Sequence, residues 1–386
     1  MSFNMVVKGI DVYSQKPKAV EIKQGIITSI RSIVNEENLP IISPAFIDIQ
    51  VNGYRGNDYS AEDFSGEQME RIINHLAASG TTRHYPTLIT GPGERIEKNL
   101  RIIDELLYNC PDLESAVPGI HIEGPYISSE DGPRGAHDPA YVRDPDIDEF
   151  FAWQKASGNR IALITLAPER LGALEFIKHI SKSGVKVSLG HTMADPDTIY
   201  KAVEMGATLS THLGNGSNGM IPRLKNYIWE QLSNDRLYAS IITDGIHLPD
   251  SVIKTIWRTK GKKHLILTSD VAMMGGNPPG RYRWANIDVE VSEKGFLHLA
   301  DTEYLAGAGH LLDRDIARLI IATGCSLAEA VSCCTQNPAE YFGFSENYHC
   351  LVPGSPAHLT LFQWKPGDLQ ITVEQTYRDG QLIFSR

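Results

Sequence analysis

Between residues 44 and 351 the chain repeats one rhythm: a short apolar run, a polar loop, then an amphipathic stretch of helical period. Eight apolar runs carry it: Ala45–Val51, Thr81–Thr87, Val117–Glu123, Ile161–Leu166, Val185–Gly190, Ala207–His212, Tyr238–Thr243 and His264–Ser269. Among the helical stretches are Gly66–Ser79, Glu94–Tyr108, Leu171–Ser183, Asp195–Met205 and Asp250–Thr259, with cap-competent starts at Asp195-Pro196 and Pro249-Asp250. A strand reached by a helical crossover lies parallel to the strand before it, and eight such units favour closure into a (β/α)8 TIM-type barrel. An open doubly wound sheet is the competing arrangement. It needs a glycine-rich phosphate loop after its first strand, and Asn52-Gly53-Tyr54-Arg55-Gly56-Asn57 lacks that spacing.

The two ends have a different texture. Met5–Lys8, Ala19–Ile22 and Ile26–Ile33 at one end, and His358–Phe362, Thr372–Tyr377 and Gln381–Phe384 at the other, are short β-type runs. Asp379-Gly380 is a hairpin signal between the last two. A small β-sandwich domain built from both termini, residues 1–43 and 352–386, is expected to flank a barrel domain of residues 44–351. Two insertions stand out: the polar loop Pro133–Pro145 after the third strand, and a β-hairpin within Arg281–Ala300 after the eighth. Long loops on the C-terminal side of a barrel are where binding residues and lids belong.

Composition narrows the functional classes. The net charge is −11 and no block of Lys and Arg forms a phosphate-neutralising stripe, which argues against a nucleic-acid partner. Five cysteines, an odd number with no C-x-x-C spacing, suit free thiols in a reducing compartment. Met1–Ile10 has no basic segment followed by a long apolar core, and no apolar run approaches the ~20 residues of a membrane span. A soluble, cytoplasmic protein with a small-molecule partner and no membrane association is the expectation.

The metal-capable side chains fall at one end of the predicted barrel. Gln50 and Asn52 end strand one, Glu123 ends strand three, His191 strand five and His212 strand six. Asp244 and His247 follow strand seven, and Asp270 ends strand eight. Barrel chemistry is assembled at that face from the ends of different strands. Each residue alone has an ordinary structural reading, such as a hydrogen-bonded histidine or a capping aspartate. Their shared placement is what singles out Glu123, His191 and His212, because two imidazoles and a carboxylate leave a fourth position for water, as in catalytic zinc sites. Beside such a water, Asp270 is placed to take a proton and return it to a leaving nitrogen.

These motifs resemble the amidohydrolase superfamily, and more closely its N-acetylglucosamine-6-phosphate deacetylases, over nearly the whole chain. The carriers are Pro44-Ala45-Phe46-Ile47-Asp48 with Gln50-Val51-Asn52-Gly53, His121-Ile122-Glu123-Gly124-Pro125, Gly190-His191-Thr192 and Thr211-His212-Leu213 with Asn215. Asp244-Gly245-Ile246-His247, Asp270, Leu305-Ala306-Gly307 and the stretch Val352–Thr360 complete the series. Many amidohydrolases carry two histidines where this chain has Gln50 and Asn52. Amides are weak ligands, so the resemblance implies one divalent ion, Zn2+ first, with Fe2+, Mn2+ or Co2+ able to share such a site.

The resemblance further implies deacetylation of N-acetylglucosamine 6-phosphate, with His137 polarising the acetyl carbonyl and Ala136 beside it. Asn215, Gly216, Asp244, His247, Leu305, Ala306 and Gly307 would line the sugar and phosphate region. Arg223 corresponds to an arginine that reaches the phosphate held by the other subunit of a homodimer. Four segments depart from the family pattern: Asn215-Gly216-Ser217, Leu224-Lys225-Asn226, Val271–Gly276 and Ala308-Gly309-His310. All lie in substrate-contacting loops, so another N-acyl sugar or amide is the competing substrate. A non-catalytic paralogue and a two-metal deaminase are further alternatives, the latter opposed by Gln50 and Asn52.

Overall fold

The computed structural model describes residues 4–284, 287–302, 304–345 and 350–386. Eight strands form one parallel sheet in chain order: β1 Phe46–Val51, β2 Thr81–Ile89, β3 Ile120–Glu123, β4 Ile161–Leu166, β5 Lys186–Leu189, β6 Ala207–Ser210, β7 Tyr238–Ile241 and β8 Leu265–Leu267. Each pairs in parallel with its sequence neighbour. Across the remaining seam Asp270 N donates to Gln50 O at 3.1 Å and Asn52 N to Val271 O at 2.9 Å, with a parallel bridge at Val51 and Val271. The (β/α)8 barrel is the observed fold.

A helix follows each strand: α1 Gly66–Ala77, α2 Gly93–Asn109, α3 Ile147–Ala156, α4 Ala173–Lys182, α5 Pro196–Met205, α6 Tyr227–Ser233, α7 Asp250–Lys260 and α8 Leu312–Thr323. Their apolar faces and the outer faces of the strands make the main core, which is why β1 is buried at every position instead of alternating. Trp153 of α3 shows the packing. Its indole stacks on Tyr126 just past β3, ring centres 5.9 Å apart, and its Nε1 donates to Gly93 O at 3.2 Å. Trp153→Ala should cost about 3–5 kcal/mol in urea unfolding, the range for emptying a large core site. A change below about 1 kcal/mol would contradict this packing.

Several predicted elements shift in detail. β3 begins at Ile120, not Val117, because Pro118 cannot donate to a ladder. The insertion after β8 contains the expected hairpin, Ile287–Val291 paired with Leu297–Leu299, and a further strand, Gly280–Trp284, on its other edge. Residues 285 and 286 of that segment lie outside the described residues.

The termini assemble one seven-stranded sheet in the order Gln381–Ser385, Thr372–Arg378, Leu359–Gln363, Ile41–Pro44, Asn4–Asp11, Pro17–Lys23 and Ile26–Ser32. It has its own core of Val7, Val20, Ile22, Ile27, Ile42, Leu359, Leu361 and Tyr377. Thr360 and Thr376 hydroxyls tie it to the barrel by donating to Gly80 O and Ala77 O at the α1–β2 turn. Gly80 has φ +85°, and a Cβ there would stand 2.6 Å from Thr360 and 2.7 Å from Phe46, so only glycine allows this close approach. Among the described residues no helix is long and apolar enough to cross a membrane.

Candidate active site

The C-terminal ends of the barrel strands open into a cavity of about 250 Å³. Glu123, His191, His212 and Asp270 stand at its floor, with His137, Asn215, Gly216, His247, Leu305 and Gly307 around it. All four floor residues are at least nine-tenths buried. Three of them hold strained backbone: His191 has φ +51°, His212 +29° and Asp270 +50°. Left-handed conformations at non-glycine residues cost of order 1–3 kcal/mol each and persist where the surroundings impose them. Here the strain turns three side chains inward just past the ends of β5, β6 and β8.

The trio meets a geometric test for a cation. Glu123 Oε1 lies 3.2 Å from His191 Nε2 and 3.0 Å from His212 Nε2, and the two imidazole nitrogens are 3.1 Å apart. Three atoms bonded to one tetrahedral Zn2+ at about 2.0–2.1 Å would be separated by about 3.3 Å. His191 Nδ1 contacts Pro133 O at 2.7 Å, and because a carbonyl only accepts, Nδ1 carries the proton and Nε2 keeps its lone pair for a ligand. Glu123, His191 and His212 form a group able to hold a metal ion.

Gln50 and Asn52 turn out to be hydrogen-bond donors. Gln50 Nε2 donates to Glu123 Oε1 at 2.7 Å and to Asp270 Oδ1 at 2.9 Å, and Asn52 Nδ2 donates to the same Asp270 oxygen at 2.8 Å. Burial, reinforced by the Glu123 carboxylate, pushes the Asp270 carboxyl up to about 6.

His137 is buried with Nδ1 2.8 Å from the Thr90 hydroxyl, its ring centre 4.4 Å from that of His191. Burial, together with the neighbouring His191, lowers its pKa to about 3, so the ring is neutral. A bond donated by the Thr90 hydroxyl to Nδ1 would put the proton on Nε2, which lies 3.9 Å from Glu123 Oε2. At the cavity wall the Asp244 carboxylate accepts from the Ile246 and His247 backbone N–H groups and lies 2.9 Å from His247 Nδ1. Burial opposes the Asp244 charge, yet these bonds hold its carboxyl at about 2. Gly216 packs against His191, where a Cβ would stand 2.9 Å from Nδ1.

The remaining expected residues fall around this centre. Ala136 lines the cavity, Ala306 is buried, and Asp244 is outside the lining but contacts His247, which is part of it. Arg223 is exposed and lies outside the cavity lining. His310 also lies outside it, its Nε2 3.0 Å from Lys294 O. Sequence reasoning missed Thr90, Ile89, Trp284 and Tyr304, of which the last three line the cavity. Ile89 and Thr90 lie two and three residues past the expected end of β2, the one available signal.

A barrel with this trio at its mouth has counterparts of known sequence. The amidohydrolase family profile matches residues 41–383, and the chain belongs to that family. Within it, the chain is similar to the N-acetylglucosamine-6-phosphate deacetylase of Bos taurus, 32% identical over 356 residues, 89% of this chain and 83% of that protein. It is also similar to the N-acetylgalactosamine-6-phosphate deacetylase of Escherichia coli O157:H7, 28% identical over 94% of both chains. The crystal structure of N-acetylglucosamine-6-phosphate deacetylase from Pasteurella multocida superimposes with a TM-score of 0.87 at 25% identity, covering 99% of this chain and 100% of that one.

Proposed function

We propose that the chain hydrolyses N-acetylglucosamine 6-phosphate to glucosamine 6-phosphate and acetate, using one divalent ion held by Glu123, His191 and His212. The observation that carries this reading is the convergence of that trio with Asp270 and a neutral His137 on one small cavity. Zn2+ is the ion we assign, since two imidazoles and one carboxylate suit it; Fe2+, Mn2+ and Co2+ are the alternatives that elemental analysis would distinguish. When bound, such an ion acidifies a water and polarises a carbonyl oxygen.

The chain's own groups do the rest. Gln50 and Asn52 hold Asp270 through Oδ1, which assigns Oδ2 to proton transfer. Asp270 takes the proton of the attacking water as the new C–O bond forms. His137 donates from Nε2 to the acetyl oxygen, where negative charge develops. Asp270 then passes its proton to the sugar nitrogen as the C–N bond breaks, releasing acetate and amine.

Arg223 and the subunit arrangement belong to the same proposal. Around Arg223 the chain exposes Met220 (93%), Leu224 (75%) and Trp229 (52%), an apolar surface suited to a second copy. A homodimer would bring the Arg223 guanidinium to the partner's substrate phosphate. Acetate release should favour phosphorylated over free N-acetyl sugars by about 10–100-fold in kcat/KM, the worth of one charge-assisted contact. Arg223→Ala should remove most of that preference, and light scattering should show a dimer. A marked preference for the free sugar would overturn the phosphate reading. Because one relative is named for the galactosamine counterpart, the same panel must include both epimers.

A further inference from the structure

The barrel seam between β8 and β1 is built unlike the other seven. Below the bridge at Val51 and Val271, the two strands do not form a ladder. Instead the carbonyls of Cys333 and Cys334 accept from Leu267 N at 2.9 Å and Ile47 N at 2.8 Å, filling the gap at its lower end. Above them the gap is spanned by one side chain. Asp48 Oδ1 accepts from the Thr268 hydroxyl at 2.9 Å, from Ser269 N at 3.2 Å and from Gln50 N at 3.3 Å, and Oδ2 accepts from Ser269 N at 3.3 Å.

Asp48 is fully buried, and its hydrogen bonds come from neutral donors. Burial pushes its carboxyl up to about 6, so at neutral pH the seam holds an anion at a cost in stability. A hydrophobic or amide residue would be the cheaper way to fill such a gap. The residues it grips explain why a carboxylate stands there. Gln50 is two positions along β1, and Asp270 directly follows Ser269. Those two meet at 2.9 Å across the same seam.

We propose that Asp48 is a positioning residue for proton transfer: by clamping Thr268 and Ser269 to the Gln50 backbone, it sets where Asp270 stands relative to the Gln50 and Asn52 amides. This rests on Asp270 as the proton acceptor. Outer residues that orient a reacting group are commonly worth about 10–100-fold, and a shift of order 1 Å can cost about 100-fold.

The test is Asp48→Asn in the metal-loaded enzyme, assayed by acetate release across pH. An amide can keep the Oδ1 contacts but replaces Oδ2 with an N–H group facing Ser269 N, so it removes the carboxylate charge and loosens the Ser269 side of the clamp. The expected result is a kcat lower by about 10–100-fold with KM within about twofold, full metal content, and a displaced acid limb of the kcat profile. Thr268→Val, which removes one donor and leaves the carboxylate, should lower kcat in the same direction by less and keeps the test open if Asp48→Asn does not fold. Unchanged kcat in both variants overturns the proposal. So does a loss of kcat that tracks lost metal or lowered melting temperature, because that marks a purely structural role. Asp270→Asn run alongside separates the two ideas: if that variant is active, the proton-transfer reading has failed, whereas an inactive Asp270→Asn beside an unaffected Asp48→Asn refutes the clamp alone.

Discussion

Asp270→Asn is expected to bind metal at the parent level and to lose turnover by about 10²–10⁴-fold, the usual worth of a positioned acid–base group. The substitution keeps the oxygen that accepts from Gln50 and Asn52, so the side chain should stay in place. It removes the one carboxylate at the floor that is not part of the metal-binding trio. The pH dependence of the parent follows from the same group. Burial and Glu123 raise the Asp270 carboxyl to about 6, and in the proposed mechanism the basic form is the active one. Activity should therefore be full above this value and fall as pH drops through it, with the acid limb at or below pH 6 because a bound cation favours the anion. Acetate release from pH 4 to 8 reads both effects. Near-parent turnover in the variant would remove Asp270 from the mechanism.

The residues that anchor this argument were legible before the fold was known, for a physical reason. A parallel strand buried on both faces reads as an apolar run, so the polar residue that ends it is conspicuous. Glu123, His191, His212 and Asp270 each follow such a run, and a barrel brings strand ends together whatever their distance in sequence. Helices with a strong apolar stripe, such as α1 and α4, were equally visible. α6 was not, because seven residues span barely two turns and show no period.

What sequence could not supply was direction. Gln50 and Asn52 read as poor metal ligands, but their place as paired donors to one Asp270 oxygen depends on a partner 220 and 218 residues away. Thr90 meets His137 Nδ1 through a hydroxyl 47 positions distant, and nothing in the local pattern marks it. Asp48 lies inside a strand otherwise read as core. Its carboxylate became informative only when the β8–β1 seam proved to lack a ladder. The strained φ angles at His191, His212 and Asp270 belong to the same class, since no composition rule marks a left-handed histidine.

His212→Ala should separate metal binding from proton transfer in the opposite sense to Asp270→Asn. His212 contributes Nε2 to the trio, and its Nδ1 is buried with no hydrogen-bond partner among the described residues, so ligation is the main work of this ring. Removing it leaves two donors, Glu123 and His191, and a site with too few ligands to retain Zn2+ through dialysis. Metal content should fall from one ion per chain to background, and acetate release should fall at least as far as in Asp270→Asn. Its side chain makes fewer contacts outside the trio than that of His191. His191 also holds Pro133 O through Nδ1 and packs against His137, so His191→Ala should disturb the loop carrying Ala136 and His137 as well as the metal. Added Zn2+ at high concentration should therefore rescue His212→Ala better than His191→Ala. A dialysed His212→Ala protein that still carries one ion per chain would show that the metal is held elsewhere, and the assignment of Glu123, His191 and His212 would fall with it.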